Sequence, residues 1–219
     1  MAKSVYYEDK NPREIKALET FLHSHMREYE AGEMVDILTN NHYILGVVEE
    51  GCIFFVDSKE DEKREILDYY DKDCVIRSYD NTAAKSESSY LIAKTKCRIR
   101  TYEYSGFHLS KPADVNRVVP FIYRLLQEAA VRSQLHVRIL SGRTIQDKLE
   151  TYFTALSNRQ GRTTIELPIS LTDLADYLCV DRSAMMRSLQ GMKNKSRIVV
   201  ENHLYRLSYM EEESNEAVR

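Results

Sequence analysis

The hydrophobic period of the chain changes once, near Gly106, and that change dictates a fold of two unlike parts. From Met26 to about Tyr104, apolar residues come in short alternating or compact runs: Tyr43 to Val48, Cys52 to Val56, Ile66 to Tyr70, Cys74 to Ile76, Tyr90 to Ala93 and Cys97 to Thr101. Polar turns such as EEG at 49–51 and DSKEDEK at 57–63 separate them, which is the spacing of an antiparallel barrel or sandwich. After Gly106, Ile122, Leu125, Leu126, Ala129, Ala130, Gln134 or Leu135, and Val137 trace a stripe close to a helical period. Pro120 fits the first turn of this helix, where its missing N–H costs nothing. The stripe runs for about twenty residues, too long for the core of one small domain to cover. It needs a partner, either the strand-rich half or the same helix of a second chain, and both are expected.

Ser141-Gly142 interrupts the pattern and reads as a hinge, with Ser141 as candidate N-cap. Helix resumes through Ile145, Leu149, Tyr152, Phe153 and Leu156, and is expected to end near Ser157, before the polar segment NRQGRTT. The tail EEESNEAVR is expected to fray.

The segment from Ile169 to Tyr209 carries the strongest local signals. Ser170 can cap a short helix that buries Leu171, Leu174, Ala175 and Leu178, and Asp173 in its first turn suits the helix dipole. A tight turn at Cys179-Val180 follows. Asp181 can cap a second helix, in which Met185, Leu189 and Met192 face inward and Arg182, Ser183, Met186, Arg187 and Gln190 face out. Two short helices joined by such a turn, the second displaying Arg, fit a DNA major groove. Beyond them RIVV and LYRL flank Glu201-Asn202-His203 and read as a β-hairpin wing.

Charge supports this only when resolved along the chain. The formal total of −3 suggests no nucleic-acid binder. Yet residues 1–110 hold 15 basic and 21 acidic side chains, net −6, and residues 111–219 hold 16 and 13, net +3. Between 182 and 206 stand six basic side chains (Arg182, Arg187, Lys193, Lys195, Arg197, Arg206) against one acid, Glu201. This local +5 is an electrostatic footprint for phosphate. The predicted DNA contacts are Ser170, Thr172, Arg182, Ser183, Met186, Arg187, Gln190, Lys193, Lys195, Arg197 and His203.

Over nearly its whole length the chain resembles the Crp/Fnr transcription regulators. These are bacterial dimers built from a cyclic-nucleotide-binding-type β-roll, a long dimerisation helix and a winged helix-turn-helix. DRSAMMR, Asp181 to Arg187, resembles the family's base-reading motif with both arginines in place, so Arg182 and Arg187 are implied to contact guanine edges or nearby phosphates. SGRTIQDKL at 141–149 resembles the helix after the hinge, while Gly32, Gly51 and AKTKC at 93–97 match landmarks of the roll. Ser183 replaces the motif's Glu, so the operator sequence is not expected to be the familiar one. Cys179 stands where helix-turn-helix units usually carry Gly, a position that often needs positive φ.

The resemblance implies an α+β chain in three parts. These are an antiparallel β-roll of jelly-roll type at 1–110, a dimerisation helix at 111–140 and a winged helix-turn-helix at 141–219. It implies a homodimer on a pseudo-palindromic double-stranded operator, with RNA polymerase as a further partner through 158–166. An alternative reading is a small-molecule-binding regulatory module whose helix-turn-helix contacts another protein. In the family's nucleotide cassette, the Gly, Glu and Arg positions here are Ile76, Arg77 and Glu87, within Ile76-Arg77-Ser78 and Glu87-Ser88-Ser89. A carboxylate at the phosphate position repels an anion and a branched side chain blocks close backbone approach, so cyclic AMP and cyclic GMP are not expected as effectors.

Other chemistry finds little footing. Cys52, Cys74, Cys97 and Cys179 have no metal or iron–sulfur spacing, and His23, His25 and His42 form no evident haem site. No hydrolase, zinc-protease or phosphate-loop pattern occurs, and His108, His136 and His203 lack a spaced acidic or nucleophilic partner, so no enzyme, metal or cofactor is expected. The first residues lack the apolar stretch of a secretory signal, and no apolar run reaches membrane-spanning length. A reduced cytoplasmic protein with structural thiols is expected.

Overall fold

The computed structural model describes residues 24–36, 44–58, 64–77, 89–103 and 112–210. Ser78, Glu87, Ser88, the side chains of Arg77, Ile122 and Leu125, and the tail 211–219 lie outside the described residues. Contacts divide the chain into two compact units, 3–133 and 134–219.

The first unit holds seven described strands: β1 (Ser24–Tyr29), β2 (Ile44–Glu50), β3 (Ile53–Ser58), β4 (Arg64–Tyr70), β5 (Val75–Arg77), β6 (Ser89–Ala93) and β7 (Cys97–Glu103). They form two antiparallel sheets, in the orders β1-β7-β2-β5 and β4-β3-β6. Every expected apolar run became a strand. β1 was not read as one, because as the outer strand beside β7 it leaves His25, Met26 and Glu28 exposed and carries no compact apolar run.

The core lies between the sheets. Val48, Ile76, Cys97 and Ile99 of the first sheet meet Ile53, Tyr70 and Ala93 of the second. Ile76 is fully buried there and pairs with Gly46. Gly51, at the β2–β3 turn, has φ +90, and a Cβ on it would lie 2.3 Å from the Lys96 carbonyl oxygen and 2.7 Å from Cys97 Sγ. Only Gly fits so close an approach. Gly32 also has positive φ, +89, but faces open space. Burial, then the negative charge of Asp71, pushes the Cys52 thiol up to about 12. It stays protonated and inert at neutral pH, as the structural-thiol reading requires.

Helix α1 runs from Pro112 to Leu140, about 43 Å at 1.5 Å per residue. Pro112 rather than Pro120 occupies its first turn; Pro120 sits inside the helix. Asn116, whose carbonyl Pro120 cannot bond, and Pro120 itself are both exposed, so water can serve that carbonyl. The expected single stripe separates into two faces. Ala129 and Ile139 are buried, with Arg132, Leu135 and His136 half-buried beside them. Val119, Tyr123, Leu126, Ala130, Ser133 and Val137 are all exposed, at alternating steps of four and three. That is a heptad a/d seam.

In the second unit, the break at Ser141-Gly142 is present, but Ser141 caps nothing forward. Its Oγ donates back to Val137 O at 2.7 Å. Thr144 is the N-cap of α2 (Ile145–Gln160), in a reciprocal capping box with Asp147. α2 also runs past Ser157 to Gln160, where Gly161 closes it in the left-handed conformation. Short helix α3 (Leu171–Tyr177) and α4 (Arg182–Asn194) follow. A sheet in the order β8 (Thr164–Glu166), β10 (Leu204–Leu207), β9 (Ile198–Glu201) completes the unit. β8 lies in what the sequence presented as a polar loop; Gln160 steadies it, donating to Glu166 O at 2.7 Å and accepting from Glu166 N at 3.0 Å.

Candidate nucleic-acid interface

The interface is set by the packing beneath it. Leu149, Tyr152, Phe153 and Leu156 of α2 are buried, with Phe153 against Tyr205 at 5.7 Å between ring centroids and Tyr152 edge-on to Tyr177 at 6.0 Å. Met185, Leu189 and Met192 turn the apolar side of α4 into this core. The expected caps are in place: Ser170 Oγ accepts from Asp173 N at 3.1 Å, and Asp181 Oδ1 accepts from Ala184 N at 2.8 Å.

Cys179 has φ +53 in the turn between α3 and α4. Its amide bonds Asp176 O at 3.0 Å and the Val180 amide bonds Ala175 O at 3.0 Å, the hydrogen-bond pair of a Schellman ending. The left-handed conformation inferred from the usual Gly is therefore adopted by a Cys, which costs about 1 kcal/mol or more relative to Gly. Cys179 is exposed, unlike the other three thiols.

With the apolar side inward, α4 turns Arg182, Ser183, Met186, Arg187 and Gln190 outward, all exposed. Thr172, on α3, accepts a hydrogen bond from Arg182 Nε at 3.1 Å, which leaves the terminal amino groups of that guanidinium pointing onward. Gln190 donates to Asn194 at 2.9 Å. Lys193, in the last turn of α4, and Lys195, at its C-cap, are exposed. The wing turn is two residues long, Asn202 (φ +48) and His203 (φ +64), with Glu201 inside β9. Both positive angles make it a type I′ hairpin turn, which places His203 exposed at the tip.

Arg197 differs from the other basic residues. Its Nε donates to Glu150 Oε1 at 2.9 Å, and its guanidinium lies 5.2 Å over the Tyr209 ring. It ties β9 to α2. No sequence signal linked Arg197 to Glu150, 47 residues away. Thr172 was singled out, but its service to Arg182 was visible only in the fold. Among the described residues, no group of three or more His, Cys, Asp or Glu side chains is placed to hold a metal ion, and no helix is long and apolar enough to cross a membrane.

No protein-family model and no curated protein matches the sequence. Solved structures do. FixK2 from Bradyrhizobium japonicum is similar at TM-score 0.61 and 15% identity, over 84% of this chain and 92% of that one. CLP from Xanthomonas campestris, a c-di-GMP responsive global regulator, is similar at 0.62 and 19%, over 88% and 98%. TTHB099 from Thermus thermophilus, a CRP-family transcriptional regulator, is similar at 0.54 and 15%, over 83% and 91%. With its paired antiparallel sheets, long helix and winged helix-turn-helix, this chain has the Crp/Fnr fold.

Proposed function

We propose that the protein is a homodimeric, sequence-specific DNA-binding transcription regulator of the cytoplasm, with no catalytic step of its own. The exposed face of α4 carries this reading: five side chains able to meet base edges stand together, with Arg182 oriented by Thr172. In the dimer each α4 enters a major groove, and the half-sites of a pseudo-palindromic operator lie about 34 Å apart. Arg182, Ser183, Met186 and Arg187 read bases. Ser170, Lys193, Lys195 and the wing residue His203 approach the backbone, which supplies salt-dependent affinity. The exposed end of α2 with β8 is the surface offered to RNA polymerase.

The test is binding to an operator selected from random duplexes, compared with unselected DNA. Arg187→Ala is expected to lose about 1 to 3 kcal/mol per half-site on the operator, the worth of a bidentate guanine contact, and much less on random DNA. Equal losses on both would remove Arg187 from base reading. Failure of any sequence to enrich would remove the DNA-binding reading itself.

The exposed seam on α1 supports the dimeric part of this reading. Val119, Tyr123, Leu126 and Val137 are 50%, 60%, 38% and 65% exposed, too much apolar surface in one line for a lone helix to leave in water. The second copy supplies the matching line.

Control by cyclic AMP or cyclic GMP is not part of this reading. The Ile76 side chain is packed between the two sheets, at the position where the resemblance expects a Gly to admit a phosphate. Calorimetry is expected to show no heat of binding with either nucleotide at micromolar concentration; saturable binding there would overturn this. CLP responds to c-di-GMP, which makes that dinucleotide the informative third ligand in the titration.

A further inference from the structure

Asp181 caps α4 and Ser170 caps α3, so Arg182 is the first residue of one helix and Thr172 the second of the other. Leu174 and Ala175 of α3 and Met185 of α4 are buried, and with these apolar sides turned inward both polar side chains are exposed. They meet across the two helices. Arg182 Nε donates to Thr172 Oγ1 at 3.1 Å, although ten residues separate the two in sequence. The acids beside each of them are engaged elsewhere: Asp181 Oδ1 accepts from Ala184 N at 2.8 Å, and Asp173 Oδ2 accepts from Ser170 Oγ at 2.6 Å. Among the described residues, Arg182 forms no ion pair and has Thr172 as its side-chain partner.

A guanidinium can offer a guanine either of two edges, one that uses Nε and one that uses both terminal nitrogens. The bond to Thr172 occupies the first. Nη1 and Nη2 remain as a fork held in one direction, and such a fork matches O6 and N7 of guanine. A side chain ordered before DNA arrives also loses less freedom on binding. The Thr172 hydroxyl has a second capacity. Having accepted from Arg182, Oγ1 still carries its own hydrogen, which has no acceptor among the described residues. From an exposed position it can donate to an anionic oxygen, and a hydroxyl that does so becomes a stronger acceptor for Arg182.

We propose that Thr172 is a positioning residue that joins backbone contact to base reading. Its hydroxyl donates to a phosphate oxygen of the operator while accepting from Arg182 Nε, so the Arg182 fork is aimed at a guanine when the backbone is in register. The phosphate and the guanine rest on the DNA-binding reading; the ordering of Arg182 rests on its contact with Thr172 alone. Arg187 supplies the contrast. It is exposed on the same face and makes no side-chain hydrogen bond among the described residues, so it is ordered only by the DNA it meets.

Nitrogen-15 relaxation of the arginine Nε–H groups tests the ordering in the full-length protein without DNA. Arg182 is expected to have an order parameter above about 0.6, to fall below it in Thr172→Val and to recover in Thr172→Ser, with Arg187 unchanged throughout. A mobile Arg182 in the parent, or an ordered one in Thr172→Val, would overturn the proposal. Should Thr172→Val fail to fold, Thr172→Ala removes the same hydroxyl.

Base reading is tested on the selected operator. The guanine is the position whose preference Arg182→Ala abolishes, and in one half-site it is replaced by 7-deazaguanine, which lacks N7. The parent and Thr172→Ser should lose about tenfold in affinity, and Thr172→Val less than about twofold. A tenfold loss in Thr172→Val, or no rescue by Thr172→Ser, removes the positioning role, which a merely structural Thr172 would not alter. A methylphosphonate scan of that half-site then tests the phosphate. One substitution should shrink the 7-deazaguanine loss in the parent and have no effect in Thr172→Val; a scan with no such position overturns the coupling. If no operator enriches, the DNA-binding reading fails and the coupling with it, while the relaxation measurement still judges the hold on Arg182.

Discussion

A Tyr123→Asp, Leu126→Asp double variant is expected to sediment as a monomer and to bind the operator about 10² to 10⁴ times more weakly than the parent. The size of the loss comes from linkage. Two half-site modules held in one dimer act at an effective concentration that raises affinity by this factor over either alone. The two positions are the second and third of the exposed seam Val119, Tyr123, Leu126, Ala130, Ser133, Val137, which spans 19 residues, about 27 Å of helix. Across a two-fold axis each Asp would face its own copy, so like charges would be brought together in a desolvated seam. Val131 supplies the control. It is 63% exposed but one position off the seam, so Val131→Asp should leave both the sedimentation and the affinity unchanged. A double variant that remains dimeric would place the dimer contact elsewhere.

Gly51→Ala is expected to lower unfolding free energy by about 2 to 6 kcal/mol, the sum of a strained positive φ and an overpacked contact. Gly32→Ala should cost only the first of these, about 1 to 3 kcal/mol. The two glycines have nearly the same φ, +90 and +89, but the added Cβ meets backbone at 2.3 Å in one case and nothing within 4 Å in the other. The Lys96 carbonyl cannot swing aside as a flexible side chain could. Urea unfolding of both variants gives the difference directly, and equal midpoint shifts would mean that the β2–β3 turn relaxes without resistance. Because both residues were recognisable as landmarks of the roll, the pair also separates two reasons for which a Gly is required.

Much of this architecture was legible because its signals are local. The six apolar runs of the roll, the caps Ser170 and Asp181, and the inward row Met185, Leu189, Met192 depend on neighbours within a few residues, and the structure shows each of them. Thr144 was legible too, since Asp147 stands three residues after it in a capping box. Ser141, beside the Gly142 break, is the expected cap, but it bonds back to Val137 and leaves the capping to Thr144. What was not legible depends on distant partners. β8 is three residues long and is a strand because β10 pairs with it. The two faces of α1 merged into one stripe because sequence spacing does not tell which apolar residues the fold covers. Arg197 counted toward the basic cluster until Glu150 claimed it. The charge exchange in the nucleotide cassette rests largely on residues outside those described, and of that cassette Ile76 is the part the core explains.

The pairing of β1 with β7 bears on when this molecule becomes folded. Ser24 lies opposite Tyr102, a separation of 78 residues along the chain. Closing a loop of that length costs about 2 kcal/mol more in entropy than closing one of ten residues. During synthesis it cannot close until β7 has left the ribosome, so β1 waits unpaired and β2 lacks the neighbour it pairs with along most of its length. The wing, by contrast, closes across two residues. The nascent chain therefore spends its longest vulnerable interval as an unfinished sheet, and a chaperone that shields strand edges has its use before α1 is made rather than after.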